Sequence, residues 1–506
     1  MRNRPRVILI TPPYHSGVVE AAEVWMPLHY VYLAGHARKA GAEVRIYDAM
    51  SLGHSHADIA REIADYRPDL VGVSAITAME PDAREVCATA KRFNPNTVTI
   101  LGNVHPTFCW QEILSQDPNV DVVVRGEGEA TLAELVQAFI AGSGFTGIPG
   151  IAYREEENPA ANLPRPFVED LDALLPAWDL VDWPNYFYRP RPEGRLAIVS
   201  SSRGCRQRCS FCSQQKFWER SWRSRSPESF VAELELLRDR YGVRVAMLSD
   251  ETPTVSQERW ERILDLLIER QTGVELLLET RVDDIIRDEG LLPKYAAAGV
   301  SHIYVGVEAT SQATLDLYQK DIQVEQSKRA IELINQHGIV SETSFVLFTP
   351  DETPERIEAT VQLAKWYSPD MAFFLAITPW PYAEINNLLK DFVWTTDYRR
   401  YNLVEAVIKP DLMTVDEMNR ALHQATADFF RDRFHRLGEQ TPAKRRFMVS
   451  VLKVLIEHSY LGEEMAAMAS RARLPDAMAS LLRETGLKLN LGQVALEDPA
   501  KAVNGK

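Results

Sequence analysis

The chain has little that would mark it as secreted, membrane-spanning or nucleic-acid-binding. Only five cysteines occur in 506 residues, and three crowd into one short stretch. This argues against a disulfide framework and for a reducing compartment. Positive charge is short. The 56 lysines and arginines face 71 acidic residues, a formal net charge of −15, the reverse of the basic footprint that general nucleic-acid binding leaves. No apolar run approaches the ~20 residues needed to cross a bilayer. The run after the basic start, Val7 to Ile10, stops at Thr11-Pro12-Pro13, too soon for the apolar part of a signal peptide. No internal repeat or low-complexity tract is present. The expectation is a cytoplasmic protein of two to four domains, with 45% hydrophobic residues, enough for sizeable cores.

What is present centres on one loop, Ser200-Ser201-Ser202-Arg203-Gly204-Cys205-Arg206-Gln207-Arg208-Cys209-Ser210-Phe211-Cys212-Ser213-Gln214. Its cysteines are spaced C-x3-C-x2-C. Thiolates so placed can cap three irons of a 4Fe-4S cubane and leave the fourth open. Zinc would want a fourth Cys or a His close by, and none follows within the loop. The loop resembles the signature of the radical S-adenosylmethionine (SAM) enzymes. In that family the open iron chelates the amino and carboxylate groups of SAM and reduces it to a 5′-deoxyadenosyl radical. The resemblance therefore implies a cluster on Cys205, Cys209 and Cys212, with bound SAM. Phe211 matches the family's aromatic before the third cysteine and is expected beside cluster and SAM.

Residues 1–145 alternate short β-branched runs (7–10, 43–47, 70–74, 97–101, 120–124) with helical patterns, the first at 28–40. This predicts a parallel sheet covered on both faces, of the flavodoxin-like (Rossmann-type) doubly wound order, which binds ligands at the carboxyl ends of its strands. The loops at those ends read Tyr14-His15-Ser16-Gly17, Ser74-Ala75-Ile76-Thr77, Gly102-Asn103-Val104-His105-Pro106-Thr107 and Arg125-Gly126-Glu127-Gly128-Glu129. Their small and hydroxyl residues let the backbone approach a large ligand. They resemble the cobalamin-binding domain that precedes many radical SAM cores. There the last two loops usually read G-G-x-H-P-T and R-G-E-G-E; here Asn103 replaces the second glycine. The resemblance implies cobalamin contacts from Tyr14, His15, Ser74, Thr77, Gly102, His105, Glu127 and Gly128. The pattern D-x-H-x-x-G, whose His ligates cobalt from below, is absent. A bound cobalamin would lack that ligand or keep the lower position empty or water-filled. The alternative is a domain that kept the fold and lost the cofactor. Cys87 and Cys109 are expected to pack, not to react.

Residues 146–194 carry Pro149, Pro159, Pro164, Pro166, Pro176, Pro184, Pro190 and Pro192, which forbid long helices and central strands. Interleaved Trp178, Trp183, Tyr186, Phe187 and Tyr188 make this a packed connector. Residues 195–400 hold six strand-like runs (196–200, 245–248, 275–278, 302–307, 343–347, 372–377) in βα register. They match the open six-stranded partial (β/α) barrel of radical SAM enzymes, and in barrel-like α/β folds chemistry gathers at the carboxyl ends of the strands. By the resemblance, Glu251, preferred over Asp250, meets the SAM ammonium. Arg281 pairs with the SAM carboxylate or merely with Asp283 or Asp284. Glu308, in Gly306-Val307-Glu308, accepts from the ribose or methionine part of SAM. Trp218, Trp380 and Tyr382 are candidate walls of a substrate pocket. Residues 401–506 read as a helical C-terminal cap, with helices at 415–433, 442–459 and 474–485. Phe429, Phe430 and Phe434 look like core there, and the methionines from Met465 to Met478 like packing before pocket.

The resemblance goes further. Tyr14-His15-Ser16-Gly17, Gly126-Glu127-Gly128-Glu129, Cys209-Ser210-Phe211-Cys212-Ser213-Gln214 with Lys216-Phe217-Trp218, Asp250-Glu251 with Pro253-Thr254, and Thr378-Pro379-Trp380-Pro381 together resemble the anaerobic magnesium-protoporphyrin IX monomethyl ester oxidative cyclases. The tail is short for that family. The resemblance implies an oxidoreductase that abstracts hydrogen from an unactivated carbon, oxidises a porphyrin propionate with water-derived oxygen and closes the fifth ring. Cobalamin would sit between the two cofactor domains, and flavodoxin or ferredoxin would be the reductant. The substrate would be a tetrapyrrole or another large apolar molecule, with no nucleic acid. Phe217-Trp218 and Trp380 with Tyr382 would keep the cavity water-poor. The nearest alternative is a cobalamin-dependent radical SAM C-methyltransferase. From another class comes a cobalamin-binding sensor with a vestigial core, against which stand the intact cysteines and acidic strand ends.

Overall fold

The computed structural model describes residues 4–14 and 25–458. The N-terminal sheet contains β1 (Arg6–Thr11), β2 (Glu43–Asp48), β3 (Leu70–Ser74), β4 (Val98–Gly102) and β5 (Val122–Val124), all parallel, in the order β2-β1-β3-β4-β5. This is the flavodoxin-like order expected from the alternation. The strands run apolar because both faces are covered. On β1, Val7 and Leu9 join the core beneath α1 (Leu28–Lys39). Ile8 and Ile10 join the opposite core, with α2 (His56–Tyr66), α3 (Glu80–Phe93) and α4 (Val104–Gln116). Helix α5 (Glu129–Ala141) completes the first layer through Leu132, Leu135 and Val136. Cys87 is fully buried in the second layer.

The proline-rich connector contributes short strands that its composition did not announce. β6 (Ile151–Glu155) and β7 (Asn158–Ala161) extend the first sheet antiparallel, and Pro159 pairs with Arg154 in the outermost strand, where a missing N–H is tolerated. The connector then crosses α1. A Cβ on Gly35 would lie 1.7 Å from the Leu175 carbonyl oxygen, so only glycine admits that crossing. Trp178, Trp183 and Tyr186 are buried against the second half of the molecule. The Trp178 indole donates to Glu233 (3.0 Å) and the Tyr186 hydroxyl to Asp48 (2.8 Å).

The second sheet is an open partial barrel. β8 (Phe187–Tyr188) pairs antiparallel with β9 (Arg191–Val199). After a two-stranded ribbon of β10 (Ser202–Arg203) and β11 (Arg223–Ser224), the parallel series continues with β12 (Val243–Leu248), β13 (Glu275–Thr280), β14 (Val300–Glu308), β15 (Val340–Leu347) and β16 (Met371–Ala376). Helices α6 (Pro227–Tyr241), α7 (Gln257–Glu269), α8 (Val324–Gln336) and α9 (Pro354–Tyr367) alternate with these strands. The six expected parallel strands are present, with β8 added at one edge. Glu279, Tyr304 and Glu342 stand side by side across β13, β14 and β15, a polar row in an otherwise apolar sheet. Past β16, α10 (Val415–His435) and α11 (Pro442–His458) close the described chain. Phe429, Phe430 and Phe434 are core. Asp370 anchors both helices, pairing with Arg433 (3.2 Å) and Lys444 (2.6 Å). The expected helix at 474–485 and the methionines from Met465 to Met478 lie outside the described residues.

Candidate active site at the domain junction

The cysteine loop leaves the carboxyl end of β9 and is fastened to the barrel at several points. Asp250 is buried just past β12. It accepts from the Ser201 backbone (2.8 Å) and from the hydroxyls of Ser201 (2.7 Å) and Ser202 (2.5 Å). Burial still raises its pKa, against those donors. Gly204 sits at φ +103°, and a Cβ there would meet the Ser221 carbonyl oxygen at 2.2 Å. Further on, the Ser210 N–H bonds Tyr318 O (2.9 Å), and the Gln215 amide donates to Cys209 O (3.2 Å). Phe211 stands edge-on to Tyr318, ring centres 5.2 Å apart.

All five cysteines are free. Burial raises the Cys209 thiol pKa and pushes that of Cys212 up to about 12, so these sulfurs stay protonated until a metal takes the proton's place. Cys109 is likewise pushed up to about 12 by burial, which suits a packed thiol. No three His, Cys, Asp or Glu side chains among the described residues converge as a single metal ion requires. Three thiolates capping separate irons of a cubane need no such convergence, and the C-x3-C-x2-C loop with one iron left open fits a 4Fe-4S cluster.

The acidic residues at the strand ends differ in their partners. Glu251 accepts from the Gly204 N–H (2.9 Å) and the Trp218 indole (2.6 Å). Burial holds its pKa up. Glu308 has φ +68°, an uncommon conformation for a residue with a Cβ, and pairs with Lys320 at 2.9 Å. A Cβ on Gly306 would lie 2.3 Å from the Glu308 carboxylate, so the glycine makes room for that pair. Arg281 binds Asp283 (2.8 and 3.2 Å). Glu279 has no hydrogen bond among the described residues. Burial, then Glu342, Glu251 and Glu308, push its pKa up to about 7.

Between the two sheets lies a cavity of about 430 Å³. The N-terminal domain lines it with Ser74, Gly102, Asn103, Gly126, Glu127, Gly128 and Glu129; the barrel lines it with Ser200, Ser202, Arg203, Phe217, Trp218, Ser249 and Glu251. The cavity also runs between sheet and helices along Leu9, Gly72, Ile100, Val124, Leu33 and Leu132. A polar junction continued by an apolar slot, walled by glycines at the strand ends, fits a macrocycle with an aromatic arm, as cobalamin is. Asn103 explains its departure from glycine. Its backbone keeps the glycine-like φ +87°, ψ −170°, and the side chain holds it there: its oxygen accepts from the Val104 N–H (2.6 Å) and its amide donates to Ser74 Oγ (2.8 Å).

Several expected contacts fall elsewhere. Thr77, His105 and Tyr382 do not line the cavity. They form a buried knot between the domains, Thr77 Oγ1 lying 2.8 Å from the Tyr382 hydroxyl and 3.2 Å from His105 Nδ1. Burial pushes His105 down to about 4. Trp380 also lies off the cavity, its ring centre 6.4 Å from that of Tyr401. Tyr14 ends the first described segment, and His15 lies outside the described residues. Glu127 lines the cavity, but both its oxygens are engaged. It takes Arg203 (2.7 Å), Arg223 (2.9 and 3.1 Å) and the Val168 N–H (2.6 Å). Glu129 takes the other arm of Arg203 at 2.7 Å. These charges latch the two domains together, a role the acidic loop alone did not disclose. Sequence reasoning also missed His29, which lines the cavity from α1.

A B12 binding domain model matches residues 14–136, and a Radical SAM superfamily model matches residues 199–364. The chain is 37% identical over 465 residues to the anaerobic magnesium-protoporphyrin IX monomethyl ester cyclase of Rubrivivax gelatinosus, covering 90% of this chain and 83% of that protein. The chain belongs to the family of B12-binding radical SAM enzymes that includes this cyclase. It is a radical SAM enzyme, with a 4Fe-4S cluster, SAM and cobalamin as its cofactors. Within this family it is also 31% identical over 436 residues to an uncharacterized methyltransferase of Pyrococcus horikoshii, covering 84% and 92% of the two chains. The cobalamin-dependent radical SAM enzyme OxsB, with aqua-cobalamin and SAM bound, matches at TM-score 0.69 and 18% identity, over 97% of this chain and 76% of that one. This likeness establishes the shared fold. Among the described residues no helix is long and apolar enough to cross a membrane.

Proposed function

We propose that this radical SAM enzyme carries out oxidative cyclisation of a magnesium porphyrin monomethyl ester in the cytoplasm. The observation that carries the reading is the match to the cyclase over 90% of this chain and 83% of that protein, across both cofactor domains. Cys205, Cys209 and Cys212 would hold the cluster; Glu251, Glu308 and Arg281 would hold SAM, with Phe211 beside it; Ser74, Gly102 and Gly128 would line the cobalamin. When bound, cluster and SAM supply a radical that takes hydrogen from an unactivated carbon. The chain's own part is to orient and to exclude water. Trp218 fixes Glu251 through its indole N–H. Phe217 and Trp218 give the junction an apolar wall on which a flat macrocycle can rest. The Arg203 pairs hold the two halves of the cavity together, so that bulk water stays out. The acidic balance of −15 favours a small-molecule substrate over nucleic acid, and a flavodoxin or ferredoxin is the proposed electron donor.

C-methylation of a related substrate is the second reading, supported by the methyltransferase name of the Pyrococcus relative. One anaerobic assay separates them. Reconstituted protein receives the magnesium porphyrin ester, SAM, reduced flavodoxin and oxygen-18 water. Cyclisation gives the absorbance change of the five-membered ring and an oxygen-18 ketone. S-adenosylhomocysteine with a methylated porphyrin, and no new ring, would overturn cyclisation in favour of methylation. An unchanged porphyrin would remove this substrate from both readings.

A further inference from the structure

We propose that the outer face of the cysteine loop, around Arg206, Arg208 and Leu317, is the docking surface for an acidic one-electron carrier of the flavodoxin kind. The inference rests on the donor class proposed above and not on the porphyrin substrate. It starts from a local reversal of charge. The chain as a whole carries −15, yet residues 203–225 hold seven lysines and arginines and a single acid, Glu219.

These basic residues divide by direction. Arg203, Arg223 and Arg225 turn inward and are taken by Glu127, Glu129 and Glu233. Arg206, Arg208, Lys216 and Arg220 stay exposed. Arg220 meets Glu384 at 3.6 Å, and Lys216 donates to Tyr382 O (3.1 Å). Arg206 lies over the Trp222 ring, 5.7 Å from its centre. No carboxylate pairs with Arg206 or Arg208 among the described residues, and both stand between cluster cysteines in the sequence.

Backbone contacts join these groups into one face. The Ser210 hydroxyl donates to Leu317 O (3.0 Å), and Ser210 O accepts from the Ile385 N–H (2.8 Å). This sets two short helices, Gln312–Leu317 and Asn386–Leu389, against the cysteine loop. Each brings an exposed leucine, Leu317 (39%) and Leu388 (51%). Arg220 and the Gln319 amide both reach Glu384, which ties the loop's far end to the same helices. Unpaired arginines steer an acidic partner, and exposed leucines give a small, transient interface its dry centre. Solvation alone would be served by mixed charges.

The place of this face fits the reaction. The cluster must be reduced before SAM can be cleaved, and its cysteines sit on this loop. Arg203 lines the junction cavity, while Arg206 and Arg208 turn to solvent, so a carrier can reach the loop without entering the space of the other cofactors. In the complex one electron leaves the anionic flavin hydroquinone, which becomes the neutral semiquinone, and the oxidised cluster gains it. No bond forms and no proton moves.

The test compares the reconstituted full chain with a double variant, Arg206→Glu and Arg208→Glu. Binding of oxidised flavodoxin, read by titration calorimetry without turnover, should weaken at least about tenfold at low salt. The parent's affinity should fall as salt is added. Stopped-flow reduction of the cluster by flavodoxin hydroquinone should slow by a similar factor. Reduction by the methyl viologen radical cation, which arginines repel, should hold or rise. Unchanged flavodoxin binding, or an equal loss of rate with viologen, would overturn the surface and leave the cyclase reading standing. Failure of the parent to bind flavodoxin would overturn the surface and the donor class together. Should the double variant lose its iron, Leu317→Asp decides: weakened binding supports the face, and binding equal to the parent's overturns it.

Discussion

Arg203 gives the sharpest test of how the two domains are joined. Its guanidinium bonds Glu127 and Glu129 at 2.7 Å each, with the three side chains 12%, 4% and 7% exposed. Burial alone would lower the Arg203 pKa, but Glu129 and Glu127 together hold it raised. Arg203→Met keeps an unbranched apolar stem and removes the guanidinium and its charge. Glu127 retains Arg223. Glu129 loses its partner, and its second oxygen has none among the described residues. Breaking one side of a buried ion pair costs about 3–5 kcal/mol, because a bare charge is left behind. This corresponds to a rise in local opening of roughly 10² to 10⁴. Hydrogen exchange, followed by mass spectrometry over residues 122–141 and 200–225, reads such openings directly. Arg203→Met should exchange there at least about 100-fold faster, and Arg203→Met with Glu129→Met should recover most of the protection, since no lone charge remains. Exchange within threefold of the parent in the single variant, or no recovery in the double one, would refute the latch.

Gly204→Ala places a methyl group against the Ser221 carbonyl oxygen and forces φ +103° on a residue with a Cβ. The expected result is loss of most cluster iron after reconstitution, with far-ultraviolet circular dichroism unchanged; full iron content would show that the loop relaxes without penalty. Glu279→Gln tests the unpartnered carboxyl of the polar row. A folded-state pKa near 7 lies above the ordinary carboxylate value, so its stabilising effect is complete below about pH 4.3 and is lost as pH rises through 7. The amide should therefore raise thermal stability at pH 8, by up to about 3 kcal/mol, and the advantage should shrink towards pH 5. An equal effect at both pH values would sink the reasoning.

The sheet order was legible because β-branched runs at regular spacing can hardly be anything but parallel strands between helices. The cysteine loop was legible because its spacing is chemistry as well as pattern. The strands β6, β7 and β8 were not: all three fall in the proline-rich connector, and Pro159 lies within β7 itself, where only the outermost position reconciles it with pairing. Thr77 and His105 were read as cavity lining because they follow strand ends, but a strand end fixes where a loop begins and not where each side chain turns. Tyr382, reached only through the fold, draws both away. The partners of Glu127 lie 76 and 96 positions further along the chain, a separation at which no local pattern speaks. His29 fell inside an ordinary helical pattern and carried no signal until the cavity gave it a direction.

The carboxylates at the strand ends sort by what they have left to give. Asp250 is enclosed by hydroxyl and backbone donors and is only 1% exposed, so it can hold the loop but not a ligand. Glu308 is neutralised by Lys320; it can still accept hydrogen bonds, as ribose hydroxyls require, yet has little net charge to offer a cation. Glu251 is bonded only by neutral donors, the Gly204 N–H and the Trp218 indole, and it faces the cavity. Two neutral donors orient a carboxylate without cancelling its charge. That combination is what a ligand ammonium needs in a site shielded from water, and it supports giving the ammonium of SAM to Glu251 and the ribose to Glu308.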